Sequence, residues 1–381
     1  MNSNSQKDCT LNASQTKESR AGNCILFLIQ TFLPIADKVY DRKTTLDILH
    51  SICIKDGFML MTDLDTFVRM PLKNTRQPDR YNYTLPIKIL KKILLTKPAS
   101  LCIEKSTEDK LSIKFDECQI TVPTENTDEY PSFPEENYEK IAEWNRDVFK
   151  QLAKQITFAS VDIMRASLTG ILVKQDEYLS SVATDGHVLQ WIKNLDTANK
   201  CLHFKEYECN IPAKVIKIIA RYVQYKTEVW QSEKYLMFKL GHGIEFVVRK
   251  IDDPYVDYKK VIPVELPNTL TLNRKGILKQ IKSAKNFSSQ ADLKAINGSI
   301  EFKSRDIDQG TEYQSTMDVE KREGAEMDVA LDLALLEKSL NGIEGELIEW
   351  KYIDGDGPNI LNSAEDDNTL NLLMPVRRNN G

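Results

Sequence analysis

Segments with helical periodicity recur along this chain at a nearly constant interval, and that recurrence limits the folds open to it. One set comprises Cys24–Val39, Arg146–Ala159 and Arg274–Phe287, whose starts lie 122 and 128 residues apart. A second set comprises Pro86–Lys97, Pro212–Gln224 and Leu333–Ile343, whose starts lie 126 and 121 residues apart. Alternating stretches fill the intervals. LSIKFDECQITV (Leu111–Val122) and YLMFKLGHGIEFVV (Tyr235–Val248) read as hairpins turning at Asp116-Glu117 and Gly241-His242-Gly243. Shorter echoes keep the same period. LMTDLDTFVRMPL (Leu60–Leu72) resembles VATDGHVLQ (Val182–Gln190), with Thr62 and Thr184 separated by 122 residues. DEYPSF (Asp128–Phe133) and DPYVDY (Asp253–Tyr258) lie 125 residues apart. The expected fold class is therefore α+β, in three repeated domains of two helices packed on antiparallel sheets each. The expected boundaries are a polar tail over 1–21, then domains 22–135, 136–264 and 265–381.

Composition narrows the function classes. The chain has 381 residues, 41% hydrophobic and 28% charged, as expected of a water-soluble globular protein. The most apolar run, Cys24–Ala36, is too short to span a bilayer and is interrupted by Gln30 and Pro34. Met1–Ala21 lacks the apolar centre of a signal peptide. Seven scattered cysteines (Cys9, Cys24, Cys53, Cys102, Cys118, Cys201, Cys209) contain no C-x-x-C pair, so neither a disulfide framework nor a metal site is expected. A cytoplasmic location fits this usage. The net charge of −5 excludes a uniformly basic nucleic-acid binder and requires any such role to rest on local clusters.

Such clusters exist. Arg146, Lys150 and Lys154 fall at i, i+4 and i+8 on one helical face, and Val148, Leu152 and Ile156 fall on the opposite one. Lys214, Lys217 and Arg221 form a second row, Lys275, Lys279 and Lys282 a third, and Lys88, Lys91 and Lys92 a fourth. Four of the six repeat helices thus carry a basic stripe, suited to phosphates without base readout. The other two carry only Lys38 and Lys338.

These residues resemble the bacterial DNA polymerase III beta subunit, the beta sliding clamp family. VATDGHVLQ is similar to that family's VATDGHRLA signature. RKTTLDILHSICIK (Arg42–Lys55), RASLTGILV (Arg165–Val173), DDPYVDYKKVIP (Asp252–Pro263) and NLLMPVR (Asn371–Arg377) resemble four further family segments, in order and at family spacing. Departures mark a divergent member. Val188 stands where the family has arginine, Gln190 and Trp191 where it has a small residue, and Val256 where it has proline. The chain also runs four residues past Arg377.

The resemblance implies a head-to-tail homodimeric ring of clamp-type domains with the helices inside. The basic rows, with Arg42 and Lys43, would then face duplex DNA. It implies a processivity factor without cofactor or metal, tethering the polymerase III catalytic subunit, the clamp loader and other polymerases or repair proteins through short peptides. The receiving pocket would lie between the second and third domains. Carried over residue by residue, it comprises Arg165, Leu168, Thr184, Gly186, His187, Val188, Leu189, Lys260, Val261, Leu372, Leu373, Met374, Pro375, Val376 and Arg377. Apolar members would seat a partner's leucine or phenylalanine, and Arg165, His187 and Arg377 would supply polar rim contacts. Two rivals are weighed against this reading. Asp185 and His187 could form an acid–base pair, but His50, His203 and His242 lack ligand spacing to His187, and no G-x-S-x-G or H-E-x-x-H motif is present. Alternatively, a clamp-fold protein could bind partners without encircling DNA.

Overall fold

A computed structural model of the chain describes residues 25–72, 82–306 and 310–378. The expected tail over 1–21, Cys9, Cys24 and the last three residues lie outside the described residues. All six expected helices form: α1 (25–39), α2 (Ile87–Leu95), α3 (Arg146–Gln155), α4 (Ala213–Tyr222), α5 (Arg274–Ala284) and α6 (Leu333–Asn341). Local chemistry fixes several starts. Asn145, Asn273 and Asp332 sit in extended conformation and accept the first free helical N–H groups of α3, α5 and α6. The sequence pattern overran the C-termini by a few residues. After α3, for example, Ile156–Phe158 tightens into a 3-10 turn.

By its internal contacts the chain divides into two compact units, residues 1–140 with 221–249, and residues 141–220 with 250–381. The expected middle domain, 136–264, is thereby shared between them. In the first unit, antiparallel strands follow the order Thr227–Gln231, Tyr235–Lys239, Glu245–Arg249, Thr66–Pro71, Phe58–Thr62, Ser51–Lys55, Tyr83–Pro86. The expected hairpin 235–248 closes with Lys239 opposite Glu245. The other expected hairpin, in a separate three-stranded sheet, closes with Phe115 opposite Cys118 across Asp116, whose φ is +48°. The α1 residues Ile29, Phe32 and Ala36 and the α2 residues Ile87 and Leu90 are buried, and Asp37 of α1 accepts an ion pair from Lys91 of α2 at 2.6 Å.

In the second unit nine antiparallel strands form one sheet: Tyr207–Pro212, Gly170–Gln175, Leu179–Thr184, Val188–Ile192, Thr369–Leu373, Asn359–Ser363, Leu347–Tyr352, Asn268–Asn273 and Lys321–Glu323. The ladder between Val188–Ile192 and Thr369–Leu373 joins the second sequence repeat to the third. A four-stranded sheet, 290–332, completes the unit. Its core includes Trp144, Phe149, Phe302 and Trp350, all fully buried.

Candidate functional site

The Thr184-Asp185-Gly186-His187 stretch closes the hairpin between Leu179–Thr184 and Val188–Ile192, with Thr184 opposite Leu189. Its chemistry is that of a turn. Thr184 Oγ1 donates to the Val188 carbonyl at 2.8 Å and accepts from Gly186 N at 3.0 Å. Asp185 Oδ1 accepts from His187 N and Val188 N at 2.9 and 3.0 Å. Gly186 takes a φ of +93°, which glycine adopts without a side-chain clash. The first repeat builds the same turn: Thr62 Oγ1 accepts from Leu64 N at 2.8 Å, Asp63 Oδ1 accepts from Thr66 N at 2.7 Å, and Leu64 takes a φ of +78°. Thr-Asp is thus a hairpin device common to two repeats.

Asp185 does not form an acid–base dyad. Its second oxygen takes an ion pair from Lys338 of α6 at 2.9 Å, with the two side chains 20% and 18% exposed. Burial acts to raise the Asp185 carboxyl. The hydrogen bond from Lys338 and those from the Val188 and His187 amides outweigh it and hold the group below the ordinary carboxylate range. The His187 side chain is left on the surface.

The expected peptide-site residues separate into a floor and a rim. Leu168, Thr184, Val188, Leu189, Leu372 and Leu373 are buried. Arg165, Gly186, His187, Lys260, Val261, Met374 and Arg377 are exposed, and Pro375 and Val376 are half-buried. The ladder sets Val188 opposite Leu373 and Leu189 opposite Leu372, and Met374 N donates to the His187 carbonyl at 2.9 Å. The Arg165 guanidinium lies close over Gly186, where a Cβ would meet Nη1 at 2.8 Å. Leu189 and Leu372 pack with Leu172, Val182, Ile360 and Tyr258, the last from the 3-10 turn that carries Lys260 and Val261. The turn chemistry and the strand ladder therefore bring together segments that are far apart in sequence.

Two departures from the family pattern have structural roles. Trp191 stacks edge-on against Tyr258, with centroids 5.7 Å apart. Gln190 is buried and donates to the Gly342 carbonyl at the end of α6, at 3.1 Å. Past Arg377, Arg378 pairs with Asp292 and Asp328. The sequence reading missed Val161, Ile163 and Met164, which flank Arg165 and are 97%, 83% and 87% exposed. Their signal was an apolar cluster that fits neither helical nor strand periodicity.

The basic rows stand out from their helices as the spacing requires. On α3, Val148, Phe149 and Leu152 are buried, whereas Arg146, Lys150 and Lys154 are exposed. Lys214, Lys217 and Arg221 on α4, Lys275, Lys279 and Lys282 on α5, Lys88 and Lys92 on α2, and Arg42 and Lys43 after α1 are also exposed. Acidic neighbours moderate some of this charge. Lys91 is half-buried against Asp37, Lys150 pairs with Asp147 at 2.7 Å, and Lys154 pairs with Glu344 at 2.6 Å. The exposed pairs of Lys150 and Lys154 contribute only about 0–1 kcal/mol each, so a phosphate could displace them. An open cleft on α5 is lined by Lys275, Lys279 and Lys282, and a smaller one is lined by Arg42, Lys88 and Lys91.

Residues 259–377 match the family described as DNA polymerase III beta subunit, C-terminal domain. The chain is 26% identical over 307 residues to the beta sliding clamp of Helicobacter pylori, covering 76% of this chain and 80% of that one. Its fold is similar to the crystal structure of the DNA polymerase III beta chain of Streptococcus pneumoniae, with a TM-score of 0.83, 17% identity, and 93% and 98% of the two chains covered. It is also similar to the DNA polymerase III beta subunit of Thermotoga maritima, with a TM-score of 0.81, 20% identity, and 93% and 98% covered.

Proposed function

We propose, from the premise that this chain is a divergent member of the bacterial DNA polymerase III beta subunit family, that it is a sliding clamp. It is a non-catalytic processivity factor of DNA replication. Two copies, each of three repeated domains, would close head to tail around duplex DNA with the basic helix rows inward. The single observation carrying this reading is that α2, α3, α4 and α5 each present lysine or arginine on the face opposite a buried apolar stripe. In a protein of net charge −5, rows at equivalent repeat positions suit a sequence-independent track of phosphates.

Partners would dock on the edge formed by the 184–188 turn, the 258–261 turn and the 372–377 segment. The polymerase III catalytic subunit, the clamp loader and other polymerases or repair proteins are the expected partners, each through a short peptide. Exposed Met374 and Val261 supply adaptable apolar contact, and Arg165, His187 and Arg377 supply polar contact. We extend this surface to Ile163 and Met164. A cytoplasmic location accords with this role, and no helix among the described residues is long and apolar enough to cross a membrane.

A second reading, partner binding without encirclement, draws on α1 and α6, which carry only Lys38 and Lys338, and on the ion pairs at Lys91, Lys150 and Lys154. Retention on DNA separates the two. Clamp loaded on nicked circular DNA should survive a moderate-salt wash and be lost when the circle is linearised, because its hold is topological. Direct phosphate binding would instead fall steeply with salt on both forms, and that result would refute encirclement.

A further inference from the structure

Away from the rim and the basic rows, the loop after strand Val188–Ile192 gathers three ligand-type side chains. A carboxylate oxygen of Asp196, the Cys201 sulfur and a ring nitrogen of His203 lie within 4.8 Å of one another. Asp196 and Cys201 are buried, at 7% and 9% exposure, and His203 is half-buried. The donors to the Asp196 carboxylate are neutral amides: Asn145 Nδ2 at 3.3 Å, Lys200 N at 3.0 Å and Cys201 N at 2.7 Å. They orient the carboxylate without cancelling its charge, which is costly to hold buried. Asn145 N also donates to Cys201 Sγ at 3.4 Å, so the cap of α3 braces two of the three groups. The Tyr207 hydroxyl lies 3.4 Å from His203 Nδ1 and accepts from Trp144 Nε1 at 2.9 Å, an outer shell that holds the imidazole.

We infer that Asp196, Cys201 and His203 form a binding site for a zinc-class divalent cation. Carboxylate, thiolate and imidazole make a borderline-soft set that selects such ions over magnesium or calcium. Bond lengths of about 2.0–2.3 Å at a tetrahedral centre put ligand atoms roughly 3.3–3.8 Å apart, so atoms within 4.8 Å of one another need to close by at most about 1–1.5 Å. Water would supply the fourth ligand. The Cys201 thiol loses its proton to solvent on binding, and the two ligand charges then balance the ion. The site would pin the 196–203 loop to the start of α3. Its D-x4-C-x-H spacing matches no familiar metal motif, because the loop rather than a short repeat of ligands sets the geometry.

The test is cobalt titration of the purified, chelator-treated full chain. The expected result is one cobalt per chain with thiolate-to-cobalt absorption in the near ultraviolet. Cys201→Ser should abolish that absorption. His203→Gln, which keeps the thiol, should weaken binding by more than the roughly 10–100-fold loss typical of removing an outer-shell partner. Cys209→Ser, altering a buried cysteine outside the cluster, should leave it intact. Zinc should also raise the melting temperature of the wild type and not of His203→Gln. Wild-type chain without thiolate absorption, or absorption that persists in Cys201→Ser, would overturn the assignment.

Discussion

Replacing Asp185 tests whether it is a turn-former or a reactive group. In Asp185→Ala, Val188 N in the buried strand loses an acceptor, at about 1.5–2 kcal/mol. His187 N, on the exposed turn, can turn to water and costs about 1 kcal/mol or less. Loss of the mostly buried pair with Lys338 adds about 1 kcal/mol, softened because Lys338 also lies 5.3 Å from the Phe158 ring. The expected total is about 2.5–4 kcal/mol. Asp185→Asn keeps the Oδ1 acceptor and should cost only about 1–2 kcal/mol. Urea denaturation followed by tryptophan fluorescence suits the measurement, since Trp144, Trp191 and Trp350 all belong to the unit that holds the turn. The pH dependence has a definite sign. The folded carboxyl sits below its unfolded value, so its contribution is full above the ordinary aspartate value near 4 and is lost as pH falls through the folded one. The gap between wild type and Asp185→Asn should therefore be constant from about pH 5 to 8 and shrink below about pH 4. Equal costs for the asparagine and alanine variants, or an alanine variant within about 1 kcal/mol of wild type, would refute the turn argument.

Three further outcomes are expected. Gly186→Ala should destabilise by about 1–2 kcal/mol, read by thermal melting, because its φ of +93° strains any side chain and the new Cβ displaces Arg165. Leu168→Ala and Met374→Ala should part company. Buried Leu168 should cost about 2–5 kcal/mol of stability, whereas exposed Met374 should fold normally and lose about 1–3 kcal/mol of affinity for a Gln-Leu-x-Leu-Phe peptide by calorimetry. Lys150→Ala with Lys154→Ala should leave that peptide's affinity unchanged and lower retention on nicked circles; a loss of peptide binding instead would show that the two surfaces are not separate.

The sequence by itself determined the six helices, the basic rows on four of them, both expected hairpins and the repeated Thr-Asp echo. Each depends on interactions within a few residues, such as the 3.6-residue period of α3 or the reach of Asp185 Oδ1 to His187 N, so local order suffices. Tertiary structure alone decided which distant groups meet. Lys338 comes to Asp185 from 153 positions away, and Glu344 and Asp37 temper Lys154 and Lys91. Leu189 and Leu372, which the resemblance assigns to one pocket, are set side by side by ladder register, which no local pattern encodes. Asp196, Cys201 and His203 are close in sequence, but the path of the loop rather than a regular spacing brings their ligand atoms together. Periodicity shows which face of an element turns inward. What that face meets depends on sheet order and loop course, which are set by packing across the whole unit.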